Sequence, residues 1–187
     1  GIEDLALTTN GVLLAQHAAK LKGNGLHRVT VSLDSLDEAV FTRMSGGFGG
    51  LPQVLDGIEA ALAAGLRPVK VNTVVQRGLN DHTVLDLLDH FRGTGVTVRL
   101  IEYMDVGNRN HWEPAQVVPS ADILRQIRTR WPVTAAAGRY RGEVASRYTY
   151  DDGAGEIGFV SSVSEPFCGD CNRARLSSEG VLHTCLF

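Results

Sequence analysis

Cysteine is scarce in this 187-residue chain: there are three, and all lie at or beyond residue 168. An odd count excludes a fully paired disulfide framework, and the C-x-x-C spacing of Cys168 and Cys171 points to a reducing compartment and a metal role. Long apolar runs are missing too, since none approaches the roughly 18–20 residues that a membrane span requires. The opening "GIEDLALTTNG" has no basic head and no long apolar stretch, so a secretory signal is not expected there. An excess of positive charge is also absent. The net charge of −3 provides no global field to draw nucleic acid or an anionic membrane, so neither is an expected partner. The "GGFGG" loop is not followed by Lys-Ser or Lys-Thr, which excludes a Walker-type phosphate cradle. His27, His82, His90 and His111 are scattered and form no catalytic triad or paired-histidine spacing.

What remains is an ordinary globular composition, 43% hydrophobic and 21% charged, long enough for one sizeable core or a domain with an appendage. The chain alternates strand, turn and helix. "LALTT" is β-prone and stops at Asn10-Gly11, after which Leu13, Leu14, His17, Ala18 and Leu21 recur at helical spacing. "HRVTVSLD" reads as the next strand, with Asp34 or Ser35 as cap of a short helix through Phe41. Val54, Leu55, Ile58, Ala61 and Leu62 form a helical stripe ending at Gly65. "RPVKVNTVVQ" is the strongest strand, Asn80-Asp81 opens a helix through Phe91, and "VTVRLIEYM" is a fourth strand. Such alternation predicts right-handed crossovers and a parallel sheet, open or closed as a barrel. Beyond Met104, "DVGNRNHWEP" reads as a polar loop, residues 120–130 as a helix, and "EVASRYTYDDGAGEIGFVSSVS" as two antiparallel strands around Asp152-Gly153. Residues 1–135 therefore read as an α/β layer or barrel part, and 136–187 as an appended site-building segment. Gly1 and the final "TCLF" do not resemble natural termini, and a piece of a longer protein is expected.

The chemistry concentrates in "PFCGDCNRARLSSEGVLHTCLF". Cys168 and Cys171 can grip one centre from a turn that Gly169 makes accessible, with Cys185 as a third thiolate. Two readings stay open on spacing alone: zinc with His183 as fourth ligand, or an iron–sulfur cluster with one iron left for a non-protein ligand. Arg173 and Arg175 alternate with Ala174 and Leu176, so both guanidiniums face one side and suit a phosphate or carboxylate. Upstream, the strand ends expected to build a ligand pocket offer Thr8, Thr9, Asn10, Ser32, Asp34, Lys70, Asn72, Glu102, Met104 and Asp105. A lysine within the best strand suggests a bound anion, because its burial is otherwise costly.

Taken in order, "TTNG", "RVTVSLD", "VKVNTVVQRGLND", "IEYMDVG" and "FCGDCNRARLSSEG…CLF" resemble the GTP 3′,8-cyclase family over essentially the whole chain. These are radical S-adenosylmethionine (SAM) enzymes that open molybdenum cofactor biosynthesis. The resemblance implies an α/β fold, an incomplete TIM-type radical SAM barrel with a C-terminal iron–sulfur extension. It implies two 4Fe-4S clusters. One generates a 5′-deoxyadenosyl radical from SAM that abstracts hydrogen from the ribose C3′ of GTP. The other, held by three cysteines, engages the guanine. Position by position, Cys168, Cys171 and Cys185 match the ligands of the second cluster. Thr8, Lys70, Arg173, Ala174 and Arg175 match GTP-binding positions, and Ser32 and Met104 match positions contacting SAM.

The resemblance further implies a cytoplasmic enzyme using a reductant and passing its product to cyclic pyranopterin monophosphate synthase, with a homodimer left open. The family's C-x3-C-x2-C motif for the radical-generating cluster is not in this sequence, nor is the family's tail ending in two glycines. The 187 residues alone are therefore expected not to cleave SAM, which the appearance of 5′-deoxyadenosine in a reductive assay would refute. Another radical SAM enzyme with an auxiliary cluster, or a zinc-stapled α/β binding module, are the alternatives.

Overall fold

The computed structural model describes residues 1–106, 111–171 and 173–185. The middle of the expected polar loop, 107–110, and the last two residues of the chain lie outside the described residues.

Three strand–helix units and a fourth strand come first. They comprise β1 (Ala6–Thr9), α1 (Leu14–Gly23), β2 (Arg28–Ser32), α2 (Glu38–Met44), α3 (Leu51–Ala63), β3 (Val69–Val75), α4 (Val84–Phe91) and β4 (Val96–Glu102). After them come α5 (Ser120–Arg130), β5 (Val133–Ala136), β6 (Ser146–Tyr150) and β7 (Glu156–Val160). Two-residue strands β8 (Arg175–Leu176) and β9 (Leu182–His183) pair as a small antiparallel ribbon within the cysteine segment.

Strands β1 to β7 form one sheet in the order β1-β2-β3-β4-β7-β6-β5. The first four are mutually parallel and β7 is parallel to β4, whereas β6 is antiparallel to both β7 and β5. The parallel α/β layer was legible from the rhythm of the sequence. The strands after residue 135 do not form a separate layer, because β7 pairs directly with β4 and extends the same sheet.

Alternation along the strands divides the sheet into two chemistries. One face carries Val29, Val31, Val69, Val71, Val75, Val98, Leu100, Ile157 and Phe159, all buried in the core beneath the helices. Helix α4 contributes Val84, Leu87, Leu88 and Phe91 to that core. Burying each such side chain stabilises the fold by about 1.5–3 kcal/mol before entropy is counted. Helices α1 and α3 pack closely because Gly57 lacks a side chain: a Cβ there would sit 2.6 Å from the Gly11 carbonyl oxygen. The other face carries Thr30, Ser32, Lys70, Asn72, Thr97 and Arg99, and in register Ser32, Asn72, Arg99 and Gly158 form one row across four strands.

Three local expectations are corrected. The cap of α2 is Asp37, whose Oδ1 accepts from Val40 N at 2.9 Å. Asp34 instead accepts from Val74 N at 2.8 Å, and Ser35 is fully buried, donating to Thr83 Oγ1 at 3.0 Å. Lys70 and Asn72 are not at a strand end, because β3 continues to Val75. Glu102, expected in the ligand pocket, is 1% exposed and enclosed by protein donors.

Candidate functional site

The polar face of the sheet opens into a cavity of about 300 Å³. Among the described residues Lys70, Arg99, Arg147 and Arg173 line it with only Glu143 and Glu156 as acidic neighbours, so its walls favour an anion. Burial pushes the Lys70 ammonium below its usual range, assisted by the guanidiniums of Arg99, Arg28 and Arg139. Burial lowers Arg99 in the same way, with repulsion from Arg28 adding to it. Arg99 Nε donates to Asn72 Oδ1 at 2.9 Å, and its stem crosses Gly158, where a Cβ would stand 2.9 Å from Arg99 Cγ. Glycine in this strand marks that close approach. Arg147 and Arg139 both pair with Glu156, which neutralises part of the wall and leaves Lys70, Arg99 and Arg173 as the lining cations without an acidic hydrogen-bond partner among the described residues.

A second cavity of about 410 Å³ lies between the end of the sheet and the cysteine segment. Cys168, Cys171 and Cys185 line it together with Met104, Phe167, Arg173 and Arg175. Ala174 and Leu176 are exposed and absent from this wall, as alternation along the extended segment requires. None of the cysteines is in a disulfide. Hydrogen bonds from the backbone and then the side chain of Arg173 lower the Cys171 thiol, favouring the thiolate that ligates metals. The Arg173 Nε lies 3.3 Å from Cys171 Sγ, and its guanidinium sits 5.1 Å from the centre of the Phe167 ring. Among the described residues no three His, Cys, Asp or Glu side chains converge on a single-ion centre. The expected zinc partner His183 is not among the residues lining the cavity, although Thr184 and Cys185 are.

Arg173 lines both cavities, and so does Val160. The structure thus joins Lys70, Arg173, Arg175, Met104 and the three cysteines into one continuous region. It does not bring every expected residue there. Ser32 lines a separate space of about 270 Å³ with Asn10, Asp34, Phe41, Met44, Ser45 and Phe48. Thr8 is on the edge strand β1, in register with Thr30, which in turn pairs with Lys70. Arg99 is the participant missed from sequence. Its signal was present: a basic residue alternating with Val98 and Leu100, and so on the same face as Thr97 and Ile101.

The comparisons with known proteins divide the chain in two. The family model described as the radical SAM superfamily matches residues 1–91, and the model described as Molybdenum Cofactor Synthesis C matches residues 96–187. A GTP 3′,8-cyclase of Xanthomonas axonopodis pv. citri is 59% identical over 187 residues, covering 100% of this chain and 56% of that protein. The protein of that name in Acidothermus cellulolyticus is 51% identical over 186 residues, covering 100% of this chain and 51% of the relative. The chain spans about half the length of the curated relatives it matches. Among solved structures, a radical SAM methyltransferase from Sphaerobacter thermophilus aligns at a TM-score of 0.49 and 18% identity over 64% of this chain and 35% of that one, too weak a likeness to bear on the fold. With two family models meeting end to end along it and relatives of one name matching throughout, the chain is similar over its whole length to GTP 3′,8-cyclases and over residues 1–91 to the radical SAM superfamily.

Proposed function

We propose that this chain is the substrate-holding part of a GTP 3′,8-cyclase. The reaction is the radical SAM conversion of GTP to (8S)-3′,8-cyclo-7,8-dihydroguanosine 5′-triphosphate, the first step of molybdenum cofactor biosynthesis. The observation that carries this reading is the wall shared by the two cavities. Arg173 faces thiolates on one side and a basic, strand-lined space on the other. A purine nucleoside triphosphate has complementary ends, with phosphates for fixed cations and a base for an open metal position.

In this reading Cys168, Cys171 and Cys185 hold a 4Fe-4S cluster, and the donor set fits in kind: three thiolate-forming residues line one cavity. When bound, that cluster supplies an iron with a position open to the guanine. The chain does the rest. Lys70, Arg99 and Arg173 offer charge-assisted hydrogen bonds to the phosphates, and the placement of Lys70 on β3 and Arg99 on β4 fixes where those phosphates sit. Arg175 completes the GTP contacts from the cysteine cavity, and the resemblance adds Ala174 and Thr8 to them and assigns Ser32 and Met104 to SAM. Since all three cysteines serve one cluster, the radical-generating cluster is held elsewhere in the protein.

Residues 1–135 then form part of an incomplete TIM-type barrel, with 136–187 as its cluster-bearing extension. The protein works in the cytoplasm with a reductant and hands its product to cyclic pyranopterin monophosphate synthase. Among the described residues no helix is long and apolar enough to cross a membrane.

Metal analysis after anaerobic iron–sulfide reconstitution tests the reading. About four irons per chain, with the broad visible absorbance of iron–sulfur clusters, is the expected result. One colourless zinc per chain would overturn it.

A further inference from the structure

Glu102 ends β4 at the junction between the sheet and the cysteine cavity, two residues before Met104. Its buried carboxylate accepts five hydrogen bonds: Ser120 N at 2.8 Å, Ser120 Oγ at 3.0 Å, Val163 N at 2.9 Å, Ser164 N at 2.8 Å and Ser164 Oγ at 2.5 Å. Ser161 Oγ donates in turn to Ser120 Oγ at 2.8 Å. Ser120 opens α5, so the carboxylate also faces the positive end of that helix. A buried charge is tolerated only with such complete satisfaction, and removal of its charge leaves several donors facing a group that cannot accept them all.

The turn it holds leads directly into Pro166, Phe167 and Cys168, while its own strand leads into Met104. Ser162, within the turn, also lines the cavity and approaches the Glu102 carbonyl oxygen at 3.4 Å. We propose that Glu102 is a positioning residue. It fixes the spacing between Met104 and the Cys168–Cys171 turn, and so sets the geometry in which the cysteines receive their metal and the substrate meets it. The identity of that metal and substrate rests on the reading above; the positioning role does not.

Glu102→Gln, which preserves size, separates positioning from bulk stability. In the metal-free chain, hydrogen exchange should quicken at the amides of 161–171 and stay unchanged in β1 to β3. After reconstitution the variant should hold iron about 10–100-fold more weakly against a chelator. Its absorbance should also lose the response to GTP. Ile127→Ala, which thins the core farther along α5 and removes none of the clamp's hydrogen bonds, is the control. It should lower Tm while leaving iron retention and the GTP response in place. Exchange that is unchanged, or that quickens equally throughout the sheet, would overturn the proposal, as would equal iron loss in Ile127→Ala. If the unaltered chain itself took up no iron, the proposed function would fail while hydrogen exchange still decided the role of Glu102.

Discussion

The sheet and the cysteine segment are held together in opposite ways. In the sheet, Val29, Val31, Val69, Val71 and Leu100 are each at most 1% exposed, and the helices exist to cover them. In the cysteine segment, Leu176, Val181 and Leu182 are 72%, 50% and 65% exposed, the two strands have two residues each, and all three cysteines are exposed. The first region carries its stability in its own apolar contacts. The second has little of its own to bury, and small segments of this kind gain their order from a bound metal. One region is a scaffold and the other a site, and Glu102 and Arg173 connect them.

Substitutions should break that contrast in predictable order. Phe159→Ala, in the core of β7, should cost about 3–5 kcal/mol in denaturant unfolding, enough to threaten the whole sheet. Cys171→Ser should change the stability of the metal-free chain by no more than about 0.5 kcal/mol while abolishing stoichiometric iron uptake. A large loss of metal-free stability there would mean that the cysteine segment is structural after all. Asp37→Ala should cost about 1 kcal/mol through its lost cap, with no effect on iron or nucleotide.

Proton linkage sharpens the same division. Burial works to raise the Glu102 carboxyl, but the hydrogen bonds from Ser164, Ser120 and Val163 outweigh it and the net shift is downward. Its contribution is therefore fully present above the ordinary value of 4.5 and is lost as pH falls through the lowered folded value. Unfolding of the parent chain compared with Glu102→Gln should show a difference that shrinks as the solution is acidified below that point. Lys70 has the opposite character, since its folded pKa lies below the 10.5 of a free lysine. GTP affinity should weaken as pH rises through that lowered value, and Lys70→Arg should shift the fall to higher pH. A pH-independent affinity in the alkaline range would remove Lys70 from the anion site.

How much of this was legible in the sequence follows from the range of the forces involved. The boundaries of α5, 120–130, and the antiparallel pair around Asp152-Gly153 came from local periodicity and turn chemistry. The parallel pairing of β7 with β4 did not, because strands separated by more than fifty residues in sequence carry no local mark of partnership. The cysteines and the alternating Arg173 and Arg175 advertised their chemistry through spacing. Glu102 was misjudged as a pocket residue because a buried carboxylate and a ligand-facing one look identical in sequence; only the donors from residues 120, 163 and 164 distinguish them. Arg99 was overlooked because its anchor, Asn72, and the space for its stem, Gly158, belong to two other strands.

The central claim is that one nucleotide spans the basic cavity and the cysteine cavity. The most direct test titrates the anaerobically reconstituted chain separately with GTP, guanosine and inorganic triphosphate while following the visible absorbance of the cluster. The account predicts that GTP binds most tightly, that guanosine alone perturbs the absorbance, and that triphosphate competes with GTP without perturbing it. GTP binding that leaves the absorbance unchanged, or triphosphate binding as tightly as GTP, would contradict it.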